Sequence, residues 1–210
     1  MYQRKGLPMT TLQNIRILIM ASDGFEQSEL LDPRDTLSKA GADVRIATPD
    51  GNSIRGWDSH DWGATVDADL AIKHADVNQY EALVLPGGQI NPDVLRTDEA
   101  AVTLVKNFVA AEKPVAAICH APWLLIEAKV IDGVEATSYG SIRTDMENAG
   151  AVWKDQEVVV DQNIITSRSP ADLEAFNKAI IDMIDKRFAN GNTGGSDTAL
   201  NEQQKRMVPA

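Results

Sequence analysis

The stretch VAAICHAP, residues 115–122, decides how this sequence is interpreted. Val115–Ile118 is a short apolar run, which is typical of a strand buried on both faces of a sheet. The run stops at Cys119-His120-Ala121-Pro122, and Trp123–Ala128 then has apolar residues at helical spacing. The sequence therefore predicts that Cys119 and His120 lie on a tight turn from a strand into a helix.

Cys119, the only cysteine of the chain, is a candidate nucleophile at this turn. The plain alternative is a small buried hydrophobe, because free cysteines are among the residues most often buried. A cysteine directly before a helix, however, lies at the positive end of the helix dipole, where the thiolate is favoured. A strand-to-helix turn also leaves backbone N–H groups free to bind an oxyanion, as in a nucleophile elbow. His120 can take up a proton there, oriented by a carboxylate that the local sequence does not identify.

The same alternation of strand and helix extends to both sides of this stretch. Short apolar runs predict strands, and Gly or Pro punctuates the helices that follow them. We expect strands at Asn14–Met20, Val44–Thr48 and Ala82–Leu85, a hairpin of Glu157–Asp161 with Ile164–Thr166, and helices after Asp23-Gly24, at Asp98–Ala111, at Thr144–Ala149 and at Ala171–Phe188. In the first helix, Pro33 is expected in the first turn and Gly41 at the C-terminal cap. Gly150 is expected to end the helix at Thr144–Ala149. Ser169 is expected to cap the last helix, with Pro170 in its first turn.

This pattern predicts an α/β fold, with a mostly parallel sheet covered by helices on both faces. One domain is expected over residues 12–188, preceded by a loose arm at 1–11 and followed by a disordered tail at 189–210. The stretch 49–63 is expected to be a loop or a hairpin. Ligands of such sheets bind at the carboxyl ends of the strands, where residues 23–29, 86–88 and 119–122 converge.

Composition excludes several other classes of function. The formal net charge is −11, which argues against nucleic acid and anionic membranes as partners. The longest apolar stretches, such as Ile15–Ala21, are far shorter than the roughly 20 residues of a membrane-spanning helix. A single cysteine without a leader pattern indicates the cytoplasm. Asp58, His60 and Asp61 match no closed metal site and are interpreted as a solvated loop; no metal and no dedicated cofactor are expected.

Four motifs together carry a resemblance to a known family. They are Asp23-Gly24-Phe25-Glu26 with Glu29, Leu83-Val84-Leu85-Pro86-Gly87-Gly88, Ala116-Ala117-Ile118-Cys119-His120-Ala121-Pro122, and Thr166-Ser167-Arg168-Ser169-Pro170 with Asp172-Leu173. From about Ile15 to Phe188 the chain resembles the PfpI family, within the class I glutamine amidotransferase-like superfamily. The resemblance implies a flavodoxin-like three-layer sandwich with a nucleophile elbow.

The resemblance also implies roles for particular residues. Glu29 would lie within hydrogen-bond reach of the Cys119 sulfur, protonated because a thiolate nearby disfavours its charge; Glu26 would then be an exposed acid of the first helical turn. The oxyanion hole would be formed by the backbone N–H groups of Gly88 and His120, with Gly87 giving close access to the substrate. Tyr139 would lie at the rim of the pocket, or merely pack there. Asp93 would orient His120 from a neighbouring subunit in a homodimer or hexamer, or would only cap a helix.

Three hypotheses about function follow. The first is a stress-protective enzyme that acts on reactive aldehydes or glycated adducts, similar to the glyoxalase III and deglycase activities of PfpI relatives, with Cys119 adding to the carbonyl. The second is an intracellular cysteine peptidase or amidase that uses Cys119, His120 and Asp93. The third is not catalytic: a redox-sensing thiol or a holdase chaperone.

Overall fold

The computed structural model of the chain describes residues 12–189. The expected arm at 1–11 lies outside the described residues, as does the expected tail from residue 190 onward. The tail was expected to begin one residue earlier, at Ala189, but Ala189 is the last residue of the C-terminal helix.

Eleven strands and six α-helices make up the described chain. The strands are β1 (Arg16–Met20), β2 (Asp43–Thr48), β3 (Ile54–Asp58), β4 (Asp61–Val66), β5 (Leu70–Ala71), β6 (Ala82–Leu85), β7 (Val115–Ile118), β8 (Glu135–Ala136), β9 (Val152–Trp153), β10 (Val158–Asp161) and β11 (Ile164–Ser167). The helices are α1 (Gln27–Lys39), α2 (Ile90–Leu95), α3 (Glu99–Ala110), α4 (Pro122–Glu127), α5 (Arg143–Asn148) and α6 (Leu173–Ala189).

Seven strands form the central sheet, in the order β10-β11-β7-β6-β1-β2-β5. All neighbours pair in parallel except β10, which pairs antiparallel with β11 at one edge. The expected hairpin is therefore present, and it adds one antiparallel strand to an otherwise parallel sheet. These pairings confirm the predicted α/β class.

Helices cover both faces of the sheet because the central strands are apolar on both sides. In β1, Ile17 and Ile19 pack with side chains of α1 and α6, whereas Leu18 and Met20 pack with those of α3 and α4. These four side chains are fully buried, whereas Arg16 at the start of β1 is exposed. The chain thus forms a three-layer sandwich with one core on each side of the sheet.

Two of the residues predicted to mark helix ends do so in the structure, and two do not. Gly41 and Gly150 follow α1 and α5 with φ of 104° and 92°, which confirms them as helix stops. Pro33 is not in the first turn of α1, because the helix begins earlier, at Gln27. Ser169 makes no side-chain capping bond; a 3₁₀ turn, Pro170–Asp172, lies between it and α6.

The stretch after β2 is a hairpin of β3 and β4, paired antiparallel. It is attached to the start of α1 by the side chain of Gln27, which donates to Asp58 Oδ2 at 3.0 Å and accepts from the backbone N–H of Ala64. The backbone N–H of Trp57 also donates to the carbonyl of Phe25 at 2.7 Å. The hairpin is therefore held beside the carboxyl end of β1.

The order of the central strands determines where a ligand site forms. The chain passes from β1 to β2 on one side of the sheet and later places β6 on the other side of β1. Loops diverge at such a switch point and leave a crevice at the carboxyl ends of the strands. The predicted motifs after β1, β6 and β7 all lie at this crevice. Among the helices of residues 12–189, none has the length and hydropathy needed to cross a bilayer.

Candidate active site

Cys119 occupies a left-handed turn at the end of β7, with φ of 65°. This conformation is unfavourable for a residue other than glycine, by roughly 1–2 kcal/mol. Two backbone hydrogen bonds hold it: Cys119 N–H donates to the carbonyl of Ser167 at 3.0 Å, and Tyr139 N–H donates to the carbonyl of Cys119 at 2.8 Å. The strained turn directs the side chain away from the strand, as a nucleophile elbow requires.

His120 lies beside the thiol, in a chain of polar contacts. Its Nδ1 is 3.2 Å from Cys119 Sγ, and its Nε2 is 3.0 Å from Ser141 Oγ. The imidazole is stacked on the ring of Tyr139, with the centroids 4.8 Å apart, and Trp123 packs against it edge-on. Burial lowers the pKa of His120, so the neutral imidazole predominates at neutral pH. Sequence reasoning missed Ser141, because a serine in a short 3₁₀ turn matches no recognisable pattern.

Glu29 projects from α1 toward the thiol and is completely buried. Its Oε2 accepts the backbone N–H of Gly87 at 2.9 Å, whereas Oε1 is buried without a hydrogen-bond partner among residues 12–189. Burial, and secondarily the charge of Glu26, raises the pKa of Glu29 to about 8. A carboxyl group in this state is mainly protonated at neutral pH, and its O–H is available to the sulfur or to a substrate.

The electrostatics of Cys119 differ from the expectation that a helix dipole favours its thiolate. Cys119 is only 6% exposed, and α4 has only six residues. Burial raises the pKa of the thiol, and so does the charged form of Glu29; the N–H groups of Gly88 and His120 act in the opposite direction. The thiol is therefore protonated at neutral pH, and His120 Nδ1 is in contact with its sulfur.

The raised pKa of Glu29 predicts a pH-dependent stability. Between its ordinary pKa of 4.5 and its folded pKa of about 8, the folded protein keeps a proton that the unfolded chain has released. The free energy of unfolding should therefore fall as pH rises through this window, by up to about 1.4 kcal/mol per pH unit. Glu29→Gln keeps the shape of the neutral acid but does not titrate, so urea unfolding from pH 5 to 8 should show a shallower decline. Parallel curves for the two proteins would contradict a buried, protonated Glu29.

Gly87 and Gly88 form the wall opposite the elbow. A Cβ on Gly87 would lie 2.5 Å from Glu29 Oε2 and 2.6 Å from Cys119 Cβ. Gly88 has φ of 80°, and a Cβ there would lie 2.6 Å from the carbonyl oxygen of Gly24. The backbone thus approaches the thiol more closely than any side chain would allow. The N–H groups of Gly88 and His120 act to lower the pKa of the thiol, and donors of this kind also stabilise an oxyanion.

The thiol opens into a cleft of about 510 Å³ at the carboxyl ends of the strands. The cleft is lined by the predicted site residues other than Asp93 and Gly87, by Gly24 and Glu26 of the predicted 23–29 motif, and by residues that sequence reasoning missed: Trp57, Ser59, Gln89, Ile90 and Pro170. Trp57 and Ser59 come from the hairpin of β3 and β4. Tyr139 lies at the rim, as expected, and is 44% exposed.

Asp93 is the one predicted catalytic residue that lies away from this cleft. It is exposed in the first turn of α2 and lines a separate groove with Arg96 and Lys106. Within the chain, Ser141 and not Asp93 contacts the far nitrogen of His120. The expected role of Asp93, to orient His120 of a neighbouring subunit, stays a prediction.

The cluster of Asp58, His60 and Asp61 lies at the tip of the hairpin. Asp58, His60 and Asp61 are exposed. Across residues 12–189, no group of three or more His, Cys, Asp or Glu side chains is arranged to hold a metal ion.

The fold and the site together define a class: flavodoxin-like α/β proteins that carry a cysteine nucleophile on an elbow, next to a histidine and a buried glutamic acid. Comparison with known proteins gives the family. Residues 15–183 match the model of the DJ-1/PfpI family, and the chain belongs to this family, which confirms the resemblance seen in its motifs.

Relatives and solved structures agree with this assignment. The chain is 42% identical to Deglycase TK1284 of Thermococcus kodakarensis over 81% of its own length and 99% of that protein. It is also 42% identical to Protein/nucleic acid deglycase 2 of Escherichia coli, over 80% of this chain and 97% of that protein. A crystal structure of a two-domain protein from Anabaena variabilis, with DJ-1/ThiJ/PfpI-like and ferritin-like domains, superposes with a TM-score of 0.78 at 34% identity and covers 81% of this chain and 48% of that chain. The names of these relatives agree with the enzyme class expected from the sequence.

Proposed function

We propose that this protein is a cysteine-dependent enzyme that removes reactive carbonyl groups, either as free 2-oxoaldehydes or as their adducts on amino and thiol groups. The observation that carries the proposal is the Cys119–His120 pair, 3.2 Å apart on an elbow that opens into a cleft. The relatives named as deglycases support it. A reduced thiol nucleophile also suits the cytoplasm, where thiols are kept reduced.

The geometry assigns the first proton transfer to His120. With the Nε2 proton donated to Ser141 Oγ, Nδ1 is left as the acceptor for the thiol proton. The sulfur then bonds to the aldehyde carbon, and the electron pair of the C=O bond moves to oxygen. The N–H groups of Gly88 and His120 stabilise the resulting oxyanion. When the substrate is an adduct on an amino group, the sulfur bonds to the former aldehyde carbon, the C–N bond breaks, and the amine takes up a proton and leaves.

A proton shift completes the reaction without an external oxidant. In the hemithioacetal of a 2-oxoaldehyde, His120 or Glu29 moves the proton of the first carbon to the second through an enediol. This shift oxidises the first carbon to a thioester and reduces the neighbouring ketone to an alcohol. Water then hydrolyses the thioester and returns the thiol. For methylglyoxal the net reaction is addition of one water to give lactate.

The alternatives have less support in the structure. A peptidase triad would need an acid on His120, and within the described chain that position is held by Ser141. A redox sensor needs an accessible thiol of low pKa, whereas Cys119 is 6% exposed and burial raises its pKa.

The proposed homodimer or hexamer has one supporting feature. Ile90 and Val94, both on α2, are 43% and 46% exposed, and they flank Asp93 in sequence. A second copy of the chain packed on α2 would cover this apolar surface and bring Asp93 to the partner.

A substrate panel tests the proposed reaction. We expect the wild-type protein to convert methylglyoxal to lactate and to release free amine from methylglyoxal adducts of N-acetyl-lysine and N-acetyl-arginine. Fluorogenic peptide amides should not be cleaved above the rate without enzyme. Lactate is measured enzymatically and amine or thiol release by chromatography. Cleavage of peptides without conversion of any carbonyl would instead establish the peptidase, and no turnover of either class would overturn the enzyme proposal.

A further inference from the structure

The distribution of charge in the cleft is uneven. Among the described residues that line the cleft, none is a lysine or an arginine, and burial lowers the pKa of His120. Glu29, with a pKa of about 8, is mainly neutral at pH 7. Glu26 is then the lining side chain that carries a full charge, and the charge is negative.

Glu26 is held close to the reaction centre. It is half-buried at the start of α1, and its backbone N–H donates to the carbonyl of Gly87 at 3.2 Å. Its Oε1 accepts the hydroxyl of Ser28 at 3.0 Å, and Oε2 has no donor among residues 12–189. The negative charge of Glu26 acts on the carboxyl group of Glu29, since it contributes to the raised pKa of Glu29.

Trp57 adds an aromatic surface beside this carboxylate. A β-bridge joins the backbones of Glu26 and Trp57. The indole N–H donates to the carbonyl of Ser59 at 3.2 Å, and Trp62 packs edge-on at 5.6 Å, so the ring is held in place. A carboxylate next to an indole is an arrangement that attracts organic cations through charge and through the π face. Glu29, whose Oε1 is buried without a partner among residues 12–189, lines the same cleft, and its neutral carboxyl group does not oppose a bound cation.

We propose that Glu26 and Trp57 form a cation subsite next to Cys119, and that it selects substrates whose reacting carbonyl carbon is attached to a positively charged group. This inference rests on the proposed function, because it describes the group bound while Cys119 reacts. A carbonyl adduct of a guanidinium keeps its positive charge, so adducts of arginine side chains fit this subsite. Substrates with a carboxylate or phosphate beside the carbonyl are disfavoured.

Charged thiol reagents of matched size test the subsite without requiring turnover. Methanethiosulfonates react when the thiolate attacks the sulfenyl sulfur, a disulfide forms and methanesulfinate leaves. Because Cys119 is the only cysteine of the chain, loss of free thiol reports on this site alone. The rates of the trimethylammonium-ethyl, sulfonatoethyl and methyl reagents are measured on the full chain at about 0.15 M salt, where distant charges are screened. Each rate is divided by that of free 2-mercaptoethanol.

The cationic reagent should react at least about tenfold faster than the anionic one on this normalised scale. Glu26→Gln should reduce that ratio to within about threefold of unity. Trp57→Leu should lower the cationic rate about threefold relative to the neutral reagent. Glu99→Gln makes the same change in net charge on the exposed start of α3 and should leave the ratio as in the wild type.

The outcomes separate the two proposals. Equal normalised rates for all three reagents, or an unchanged ratio in Glu26→Gln, would overturn the cation subsite and leave the nucleophile intact. Failure of all three reagents would overturn the proposed function, and the subsite with it.

Discussion

Gly87→Ala is expected to lower activity about a hundredfold and to lower the stability of the fold. The added methyl group would lie 2.5 Å from Glu29 Oε2, 2.6 Å from Cys119 Cβ and 2.7 Å from the carbonyl oxygen of Ile118. None of these atoms is the free end of a flexible, exposed side chain, because Glu29 is fully buried and Cys119 is held on a strained turn. The loop or the elbow must therefore move. A displacement of about 1 Å at reacting groups is enough to cost about a hundredfold in rate, and overpacking costs about 1–3 kcal/mol.

Measurement of kcat/KM for methylglyoxal, together with thermal unfolding, tests this expectation. Gly140→Ala is the matched control. Gly140 lies next to Tyr139, and its added Cβ would meet nothing within 4 Å, so both quantities should stay close to those of the wild type. A Gly87→Ala protein with wild-type activity would show that the close approach of this loop to the thiol is not needed.

Cys119→Ser is expected to lower kcat/KM by at least about a thousandfold, because each proposed step passes through a bond to sulfur. The serine hydroxyl is similar in shape but is a much weaker nucleophile at neutral pH. Its backbone meets the same left-handed φ of 65°, so the variant should fold like the wild type. The kinetics are measured on methylglyoxal and on an arginine adduct, with circular dichroism as the control for folding.

Cys119→Ala separates the nucleophile from the rest of the site. It removes the heteroatom but keeps His120, Glu29 and the backbone donors. If these groups alone accelerated the reaction by acid–base catalysis, the alanine variant would retain most of the activity. Substantial lactate production by Cys119→Ala would therefore contradict covalent catalysis.

Much of the fold could be predicted from local patterns. The bounds of β6 and β7 agree with the apolar runs at Ala82–Leu85 and Val115–Ile118, because a strand buried on both faces must be apolar throughout. Helix stops at Gly41 and Gly150 were also predictable, since a left-handed residue favours glycine. Pro33 misled the prediction because a proline is read as the start of a helix, whereas here it lies inside α1.

The candidate site was predicted unevenly, and the reason is geometric. Cys119, His120, Gly88 and Glu29 lie at the ends of predictable elements, so topology alone brings them together. Ser141 lies in a short 3₁₀ turn and Trp57 in a hairpin. The course of the hairpin depends on contacts such as that of Gln27 with Asp58. The spacing of residues along the chain does not predict such contacts.

The sequence by itself determined the sandwich and the elbow and identified Cys119 as the candidate nucleophile, because each depends on residues that are neighbours along the chain. The tertiary structure alone decided the protonation of Cys119. Burial raises the pKa of its thiol, contrary to the thiolate that a helix start suggested, whereas the raised pKa of Glu29 agrees with its expected protonation but is caused mainly by burial. Desolvation depends on what the rest of the chain packs around a group, and that packing is fixed only when the elements assemble.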